Sequence, residues 1–416
     1  MGRIVYFSFP AHGHINPTLP VFRELVRRGQ QVVYYGTEQF QQVIRDTGAL
    51  FCPYSARFRM PEQGPGPFVR ISTTLETLLD LSGAVLDDHL EQVRILRPTH
   101  VMHDSFAPWG GFVAQVLRLP SIASVPSILI NREIDSRYGP GPGIQPSDPR
   151  LTPQWYARFR SHCHACLLGH GLPALSPPQL LQTYADLNLV YTSRSFQPLA
   201  EAFDDHRFKF VGPCFEFRPE APPFPFERLD GRPLVLVSLG TAHGNHPQFF
   251  RMCMEALADA RWQVVLSTGS DFPAAELGPV PENCIVRAFV PQIGILRRCA
   301  AFVTHGGMNS VQEALYHGVP MAMAPQAADQ FWISARVSEL GAGLVLDPLR
   351  MDAGAIRDGV AKILSDASYA AAAARIGASL RAAGGHRRAT GEIQSFIRRG
   401  EPNGPLRARA APGNAL

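Results

Sequence analysis

The stretch FPAHGHINP, residues 9–17, sets His12 and His14 on either side of one glycine, directly after the β-branched run RIVYFS (3–8). A second run, THVMHD (99–104), ends with His103 and Asp104. A neutral imidazole, with an unperturbed pKa of about 6.5, suits the removal of a proton from a hydroxyl near neutral pH. A carboxylate on its far nitrogen would hold the tautomer and stabilise the imidazolium, as in a Ser-His-Asp triad whose serine is replaced by a substrate hydroxyl. By residue type His12 and His14 are both candidates for that base, and Asp104 for its partner. His103, at the last alternating position of its run, is expected to be packed or hydrogen-bonded. Two histidines two residues apart plus an aspartate also describe a conceivable metal site.

The densest cluster of polar residues is AFVTHGGMNSVQEALYHGVPMAMAPQAADQ, residues 301–330. An apolar strand ends at Thr304, and His305, Gly306 and Gly307 make a tight turn. Asn309 or Ser310 then caps a helix SVQEALYH, which Gly318 ends. A helix N-terminus carries roughly half a positive charge and favours an anion. Lysine occurs only at 209 and 362, neither preceded by glycine, so the phosphate loop G-x-x-x-x-G-K-[ST] is absent. No G-x-G-x-x-G follows a strand either; GPGPGIQP (139–146) lacks the third glycine. A kinase-like NTPase is thereby excluded, and an ordinary nicotinamide dehydrogenase is disfavoured. A diphosphate would rest on backbone N–H groups, the Ser310 hydroxyl, Asn309 and His305, with Glu313 accepting from ribose hydroxyls. The bland alternative is a capped helix after a turn.

The elements that must position these residues alternate strand and helix twice over. In the first half the β-rich runs are 3–9, 31–36, 99–104, 120–125 and 187–192. Between the first two, NPTLPVFRELVRRGQ has helical spacing at Leu19, Phe22, Leu25 and Val26 and begins at Asn16 and Pro17. Residues 212–233 carry six prolines and read as a semi-rigid linker. A second series follows at 233–239, 262–268, 284–290, 301–305, 319–325 and 342–347. This predicts an α/β chain of two doubly wound halves, 1–211 and 234–384, followed by a C-terminal helix, 385–400, and a disordered tail, 401–416. Ligands of such folds sit beyond the carboxyl ends of the strands, here in a cleft between the halves. Residues 55–85 and 126–182, Pro/Gly-rich and weakly periodic, read as insertions lining one side of that cleft.

Composition narrows the classes further. The chain has 416 residues, 45% of them hydrophobic, and a net charge of only +4, which gives no footprint for nucleic acid or an anionic membrane. Seven cysteines, scattered in apolar runs, fit reduced buried thiols. With no signal peptide or long apolar run, a cytoplasmic protein without stable membrane insertion is expected, as monomer or homodimer. SHCHACLLGH (161–170) has Cys163, Cys166 and His170 at ligand-like spacing, but no second Cys pair; it fits a helix burying cysteines with leucines. The DD pairs at 87–88 and 204–205 read as solvated surface.

FVPQIGIL (289–296), THGGMNSVQEAL and PQAADQ resemble the donor-binding segment of inverting GT-B glycosyltransferases acting on small molecules, which include bacterial macrolide and plant natural-product enzymes. SLGT (238–241) resembles the family's donor loop, and FPAHGHINPTLPV and HDSF its N-terminal half. The resemblance spans almost the whole chain. It implies two Rossmann-like domains facing each other across a cleft. It implies His14 as base and Asp104 as its partner. On the donor side it implies Phe289 with Val290 against the base, Gln292 on base or ribose, and His305, Gly307, Asn309 and Ser310 on the diphosphate. Thr241 faces the diphosphate, Glu313 the ribose, and Asp329 and Gln330 the sugar hydroxyls. Phe289 and Met308 stand where tryptophans occur in plant members, which leaves both UDP-glucose and a dTDP-sugar open. No cofactor and no metal are expected beyond the nucleotide-sugar co-substrate. The expected acceptor is a lipophilic hydroxylated compound, with His12, Phe58, Phe68, Trp109, Ile128, Trp155 and Tyr156 as wall candidates that could equally be core. A sugar-nucleotide epimerase of related fold and a non-catalytic helper protein are the alternatives; the HGHINP–Asp104 pairing counts against the first, and the intact His14, Asp104 and Asp329–Gln330 against the second.

Overall fold

Each half of the chain forms its own all-parallel sheet, because β-branched and aromatic runs alternate with amphipathic helices that cover both faces. The computed structural model describes residues 2–60, 71–138, 149–173, 175–215, 223–240, 246–259, 261–269, 274–327, 329–347 and 350–400. The first sheet contains β1 (Arg3–Phe7), β2 (Gln31–Gly36), β3 (Leu50–Pro53), β4 (His100–Asp104), β5 (Ser121–Val125), β6 (Leu187–Val190) and β7 (Phe208–Phe210). Their order is β3-β2-β1-β4-β5-β6-β7. The second contains β8 (Leu234–Ser238), β9 (Gln263–Ser267), β10 (Cys284–Arg287), β11 (Cys299–Thr304), β12 (Met321–Met323) and β13 (Gly343–Val345). Their order is β10-β9-β8-β11-β12-β13.

Strands β3 and β7 were not anticipated from the sequence. Both are edge strands, of four and three residues, and so short a run carries no readable period. Residues 71–85 also differ from the expected irregular insertion. They open a helix, Ile71–Leu96, whose Leu75, Leu78, Leu79 and Val85 pack into the first core. GPGPGIQP, the linker residues 216–222 and the tail 401–416 lie outside the described residues.

The chain divides into two compact units. In the first, Val5, Phe7, Val33, Tyr35 and Val101 face the helices Ile71–Leu96 and Pro108–Leu117. The opposite face, Ile4, Tyr6, Tyr34 and Met102, packs against Leu19, Phe22 and Leu25. The last helix, Gly385–Arg399, returns to this unit by inserting Ala389, Ile393 and Phe396 into the same cluster. The second unit buries Val235 and Val237 against Phe250, Cys253, Ile356 and Val360. Among the described residues no helix is long and apolar enough to cross a membrane.

Candidate active site

Strand order decides where chemistry can be built. In the first sheet the order reverses between β1 and β4, which pair from Ile4↔His100 to Phe7↔His103. The loop after β1 and the end of β4 therefore diverge at one point, where doubly wound sheets hold their ligands. His14 leaves β1 and Asp104 ends β4. In the second sheet the reversal lies between β8 and β11, with Ser238 opposite Thr304. SLG leaves β8 and HGG leaves β11 at that point.

His14 sits in a one-turn helix of its own, α1 (His12–Ile15), not in an irregular loop. Extended Ala11 starts it, and its carbonyl accepts from the His14 and Ile15 N–H groups at 3.0 Å. The following helix α2 (Leu19–Arg27) begins three residues later than expected, with Pro20 in its first turn. Asn16–Thr18 instead form the turn between the two, closed by the Thr18 hydroxyl donating to Ile15 O at 2.7 Å.

This geometry separates the two histidines. His14 Nδ1 lies 3.0 Å from Asp104 Oδ1, with the His14 side chain 24% exposed and that of Asp104 fully buried. His12 is exposed, edge-on to Phe40 at 4.8 Å. The Phe9 and Phe106 rings flank the His14 imidazole, with centroids 4.8 and 5.6 Å away. The Phe106 N–H also donates to Asp104 Oδ1 at 2.7 Å, closing an Asx turn around the carboxylate. The Phe106 N–H and His14 Nδ1 both meet Oδ1, so the contact is satisfied by a proton on Nδ1, which makes Nε2 the acceptor nitrogen of the ring. Phe9 and Phe106 were not singled out from the sequence. The available signal was the main-chain N–H two residues after an aspartate. Buried phenols surround the carboxylate: burial foremost, with the negative charge of Asp104 adding to it, pushes Tyr6 and Tyr34 up.

His103 is buried, and its Nδ1 meets the Asp104 carbonyl at 2.9 Å, as its strand position predicts. Phe58, Trp109, Ile128 and Trp155 are buried core residues rather than open wall. Phe58 stacks on Tyr54 at 3.9 Å, Trp109 Nε1 donates to the Tyr54 hydroxyl at 3.0 Å, and Trp155 Nε1 donates to Glu76 at 2.6 Å. Tyr156 is exposed. Phe68 and Thr241 lie outside the described residues.

At the second switch point the helix starts at Met308, two residues before the expected position, so Gly307 is its N-cap and Asn309 and Ser310 fall inside the first turn. The turn needs Gly306, whose φ is +79°. The N–H groups of Met308 to Ser310 precede the first intrahelical bond, Val311 N–H to Gly307 O at 3.0 Å. His305 is wedged between two glycines: a Cβ on Gly307 would come within 2.3 Å of its Nε2, and one on Gly240 within 2.7 Å of its Cε1. Glycine in both places is thus what lets the imidazole lie across the turn.

Gln292, Ser310 and Glu313 come together. Gln292 Nε2 donates to Glu313 Oε2 at 2.8 Å and lies 3.4 Å from Ser310 Oγ, although Glu313 is only 1% exposed. Phe289 stays exposed and Val290 half-buried beside them. Gln330 is engaged within its own loop, its Oε1 accepting from Gln326 N–H at 2.8 Å and Ala327 N–H at 3.2 Å; the half-buried Asp329 precedes it.

In SHCHACLLGH, Cys163 and Leu167 are buried on the helix Pro153–Leu168, while His162 pairs with Asp80 at 2.6 Å and His170 with Asp87 at 3.0 Å. Asp87 and Asp88 also take Arg57, and Asp205 takes Arg194, on the surface. Among the described residues no three His, Cys, Asp or Glu side chains are grouped to hold a metal ion.

Two parallel, doubly wound units with a His–Asp pair at one switch point and a glycine-bounded helix N-terminus at the other define a two-domain α/β class of protein. Comparison with known proteins agrees. The model for the C-terminal domain of erythromycin biosynthesis protein CIII-like proteins matches residues 251–384. The uncharacterized UDP-glucosyltransferase YojK of Bacillus subtilis is 31% identical over 402 residues, 96% of this chain and 98% of that protein. Demethyllactenocin mycarosyltransferase of Streptomyces fradiae is 32% identical over 420 residues, 95% of this chain and 87% of that protein. The crystal structure of the kitacinnamycin glycosyltransferase superposes with a TM-score of 0.80 at 30% identity, covering 96% of this chain and 99% of that one. The chain belongs to the GT-B glycosyltransferases of the bacterial macrolide and natural-product family.

Proposed function

We propose that this glycosyltransferase moves a sugar, glucose in the first instance, from a UDP- or dTDP-sugar to a hydroxyl of a lipophilic natural product such as a macrolide, with inversion at the anomeric carbon and without a metal. The observation that carries the reading is the His14–Asp104 contact of 3.0 Å at the switch point of the first sheet. His14 Nε2 takes the acceptor proton as its oxygen attacks the anomeric carbon. The bond from that carbon to the diphosphate breaks on the opposite face, so the configuration inverts. Asp104 stabilises the imidazolium that forms. The leaving diphosphate meets the N–H groups of Met308–Ser310, Asn309, the Ser310 hydroxyl and His305, where the helix N-terminus offsets its charge in place of a cation. Glu313, held by Gln292, accepts from ribose hydroxyls in this reading. A uridine nucleotide offers two of these and a thymidine nucleotide one, which favours the UDP donor. Phe289 stacks on the base, and Asp329 with Gln330 serves the sugar. The sugar named for YojK is glucose and that for the Streptomyces fradiae relative is mycarose, so the donor is tested directly.

The test is incubation with UDP-glucose and dTDP-glucose against macrolides, flavonoids and carotenoid-like alcohols, followed by mass spectrometry and by proton NMR of the anomeric coupling. Transfer with inverted configuration is expected, unaffected by EDTA and abolished in His14→Ala with UDP binding kept. Absence of transfer from either donor, or an active His14→Ala protein, would refute the reading.

A further inference from the structure

The carboxylate of Asp104 is held from one side only. Its Oδ1 takes both the His14 Nδ1–H at 3.0 Å and the Phe106 N–H at 2.7 Å, whereas its buried Oδ2 has no partner among the described residues. The direction of the carboxylate therefore depends on the turn Asp104–Ala107, which carries the Phe106 N–H. That turn is fixed through the Asp104 carbonyl, which accepts from Ala107 N–H at 2.9 Å and from His103 Nδ1 at 2.9 Å. A carbonyl only accepts, so His103 holds its proton on Nδ1. The Ser105 N–H, donating to Ser124 O at 2.9 Å, ties the next peptide to β5.

The pleat of β4 points His103 away from Asp104, toward the Phe7 and Val101 face. There the helix Pro108–Leu117 presents two consecutive glycines. A Cβ on Gly110 would come within 2.4 Å of His103 Cβ, and one on Gly111 within 3.5 Å of its Nε2. The two glycines leave a slot for the side chain at this position. Yet Nε2 is buried without a partner among the described residues, an arrangement that costs stability and that an apolar side chain would avoid. Burial lowers the pKa of His103, against the opposing pull of Asp104 and Asp186, the charged groups that reach it. The ring is thus a neutral Nδ1–H donor.

We propose that His103 is a positioning residue: through the Asp104 carbonyl it sets the turn that aims the Asp104 carboxylate at His14. The inference rests on His14 as the base, and the experiment separates the two. Ligand-free protein with ring-labelled histidine is titrated by NMR to read the His14 midpoint, alongside steady-state kinetics. His103→Phe fills the slot without a donor. His103→Asn puts an amide N–H where Nδ1 was. In His103→Phe the His14 midpoint should fall by roughly half a pH unit as the carboxylate drifts. Its kcat should fall about tenfold, with the donor KM unchanged. His103→Asn should restore both. Should His103→Phe not fold by circular dichroism, His103→Leu takes its place. A wild-type His14 midpoint in the donor-less variant, or an Asn variant as impaired as it, would overturn the proposal. The NMR midpoint needs no turnover, so it stands whether or not His14→Ala is active.

Discussion

Replacing Asp104 by asparagine removes one buried charge while keeping shape. The Phe106 N–H, 2.7 Å from Oδ1, selects an acceptor at that position, so the asparagine oxygen should lie there and still receive the His14 Nδ1–H. Geometry and tautomer are then preserved, and the loss is electrostatic. Two unit charges about 4 Å apart at an effective dielectric near 20 interact by about 4 kcal/mol. Because the His14 side chain is 24% exposed, water screens part of that, leaving about 3 kcal/mol as a working figure. At about 1.4 kcal/mol per decade, kcat should fall on the order of a hundredfold. The donor KM should not move, since the residues proposed for the donor belong to the other unit. The acid limb of the rate profile should shift to lower pH, because the imidazolium has lost its anionic neighbour. Thermal stability should not fall: the native carboxylate is fully buried, and Oδ2 has no donor among the described residues. Initial rates across pH, with thermal melts as control, decide the matter. A variant within threefold of wild-type kcat would refute the dyad as the source of basicity.

Gly306→Ala forces an l-residue to φ +79° and brings its Cβ within 2.1 Å of Ser334 Oγ, so about 2–3 kcal/mol of stability should go, with weaker UDP binding by calorimetry. Phe396→Ala, which empties a site 3% exposed beneath α2, should cost about 3–5 kcal/mol in urea unfolding. Glu24 is held down to about 2 by its bonds to Arg27 and then Arg28. A carboxylate lowered in the folded state adds stability above its unfolded pKa, lost as pH falls toward the folded one. Glu24→Gln should therefore flatten the drop in Tm between about pH 4.5 and 2, which melts in that window would show.

How much was legible depended on the range of the interaction. The strand-helix alternation, the glycine-bounded turn at His305–Gly307 and the helix that buries Cys163 with Leu167 are local patterns, set by backbone freedom and by side-chain period. Those were readable within windows of about ten residues. Edge strands β3 and β7 were not, because a run of three or four residues becomes a strand only when a neighbour supplies its ladder. The helix Met308–Tyr316 starts two residues before its expected position for a similar reason. Asn309 and Ser310 are good caps by type, but Gly306, at φ +79°, turns the chain early enough for Gly307 to cap it.

The His14–Asp104 pairing divides along the same line. Residue chemistry alone made His12 and His14 equal candidates, and named Asp104 as a partner for either. Parallel pairing of β1 with β4 brings together groups ninety positions apart in the chain, and the single turn of α1 aims only His14 at the carboxylate. His12, on the same turn, leans on Phe40 instead. Phe58, Trp109, Ile128 and Trp155 show the converse. Their types suit a lipophilic wall or a core equally well, and only the packing of the helices Ile71–Leu96 and Pro153–Leu168 over the first sheet sends Phe58, Trp109 and Trp155 inside. Composition sets what a side chain can do; the path of the chain between distant strands sets what it meets.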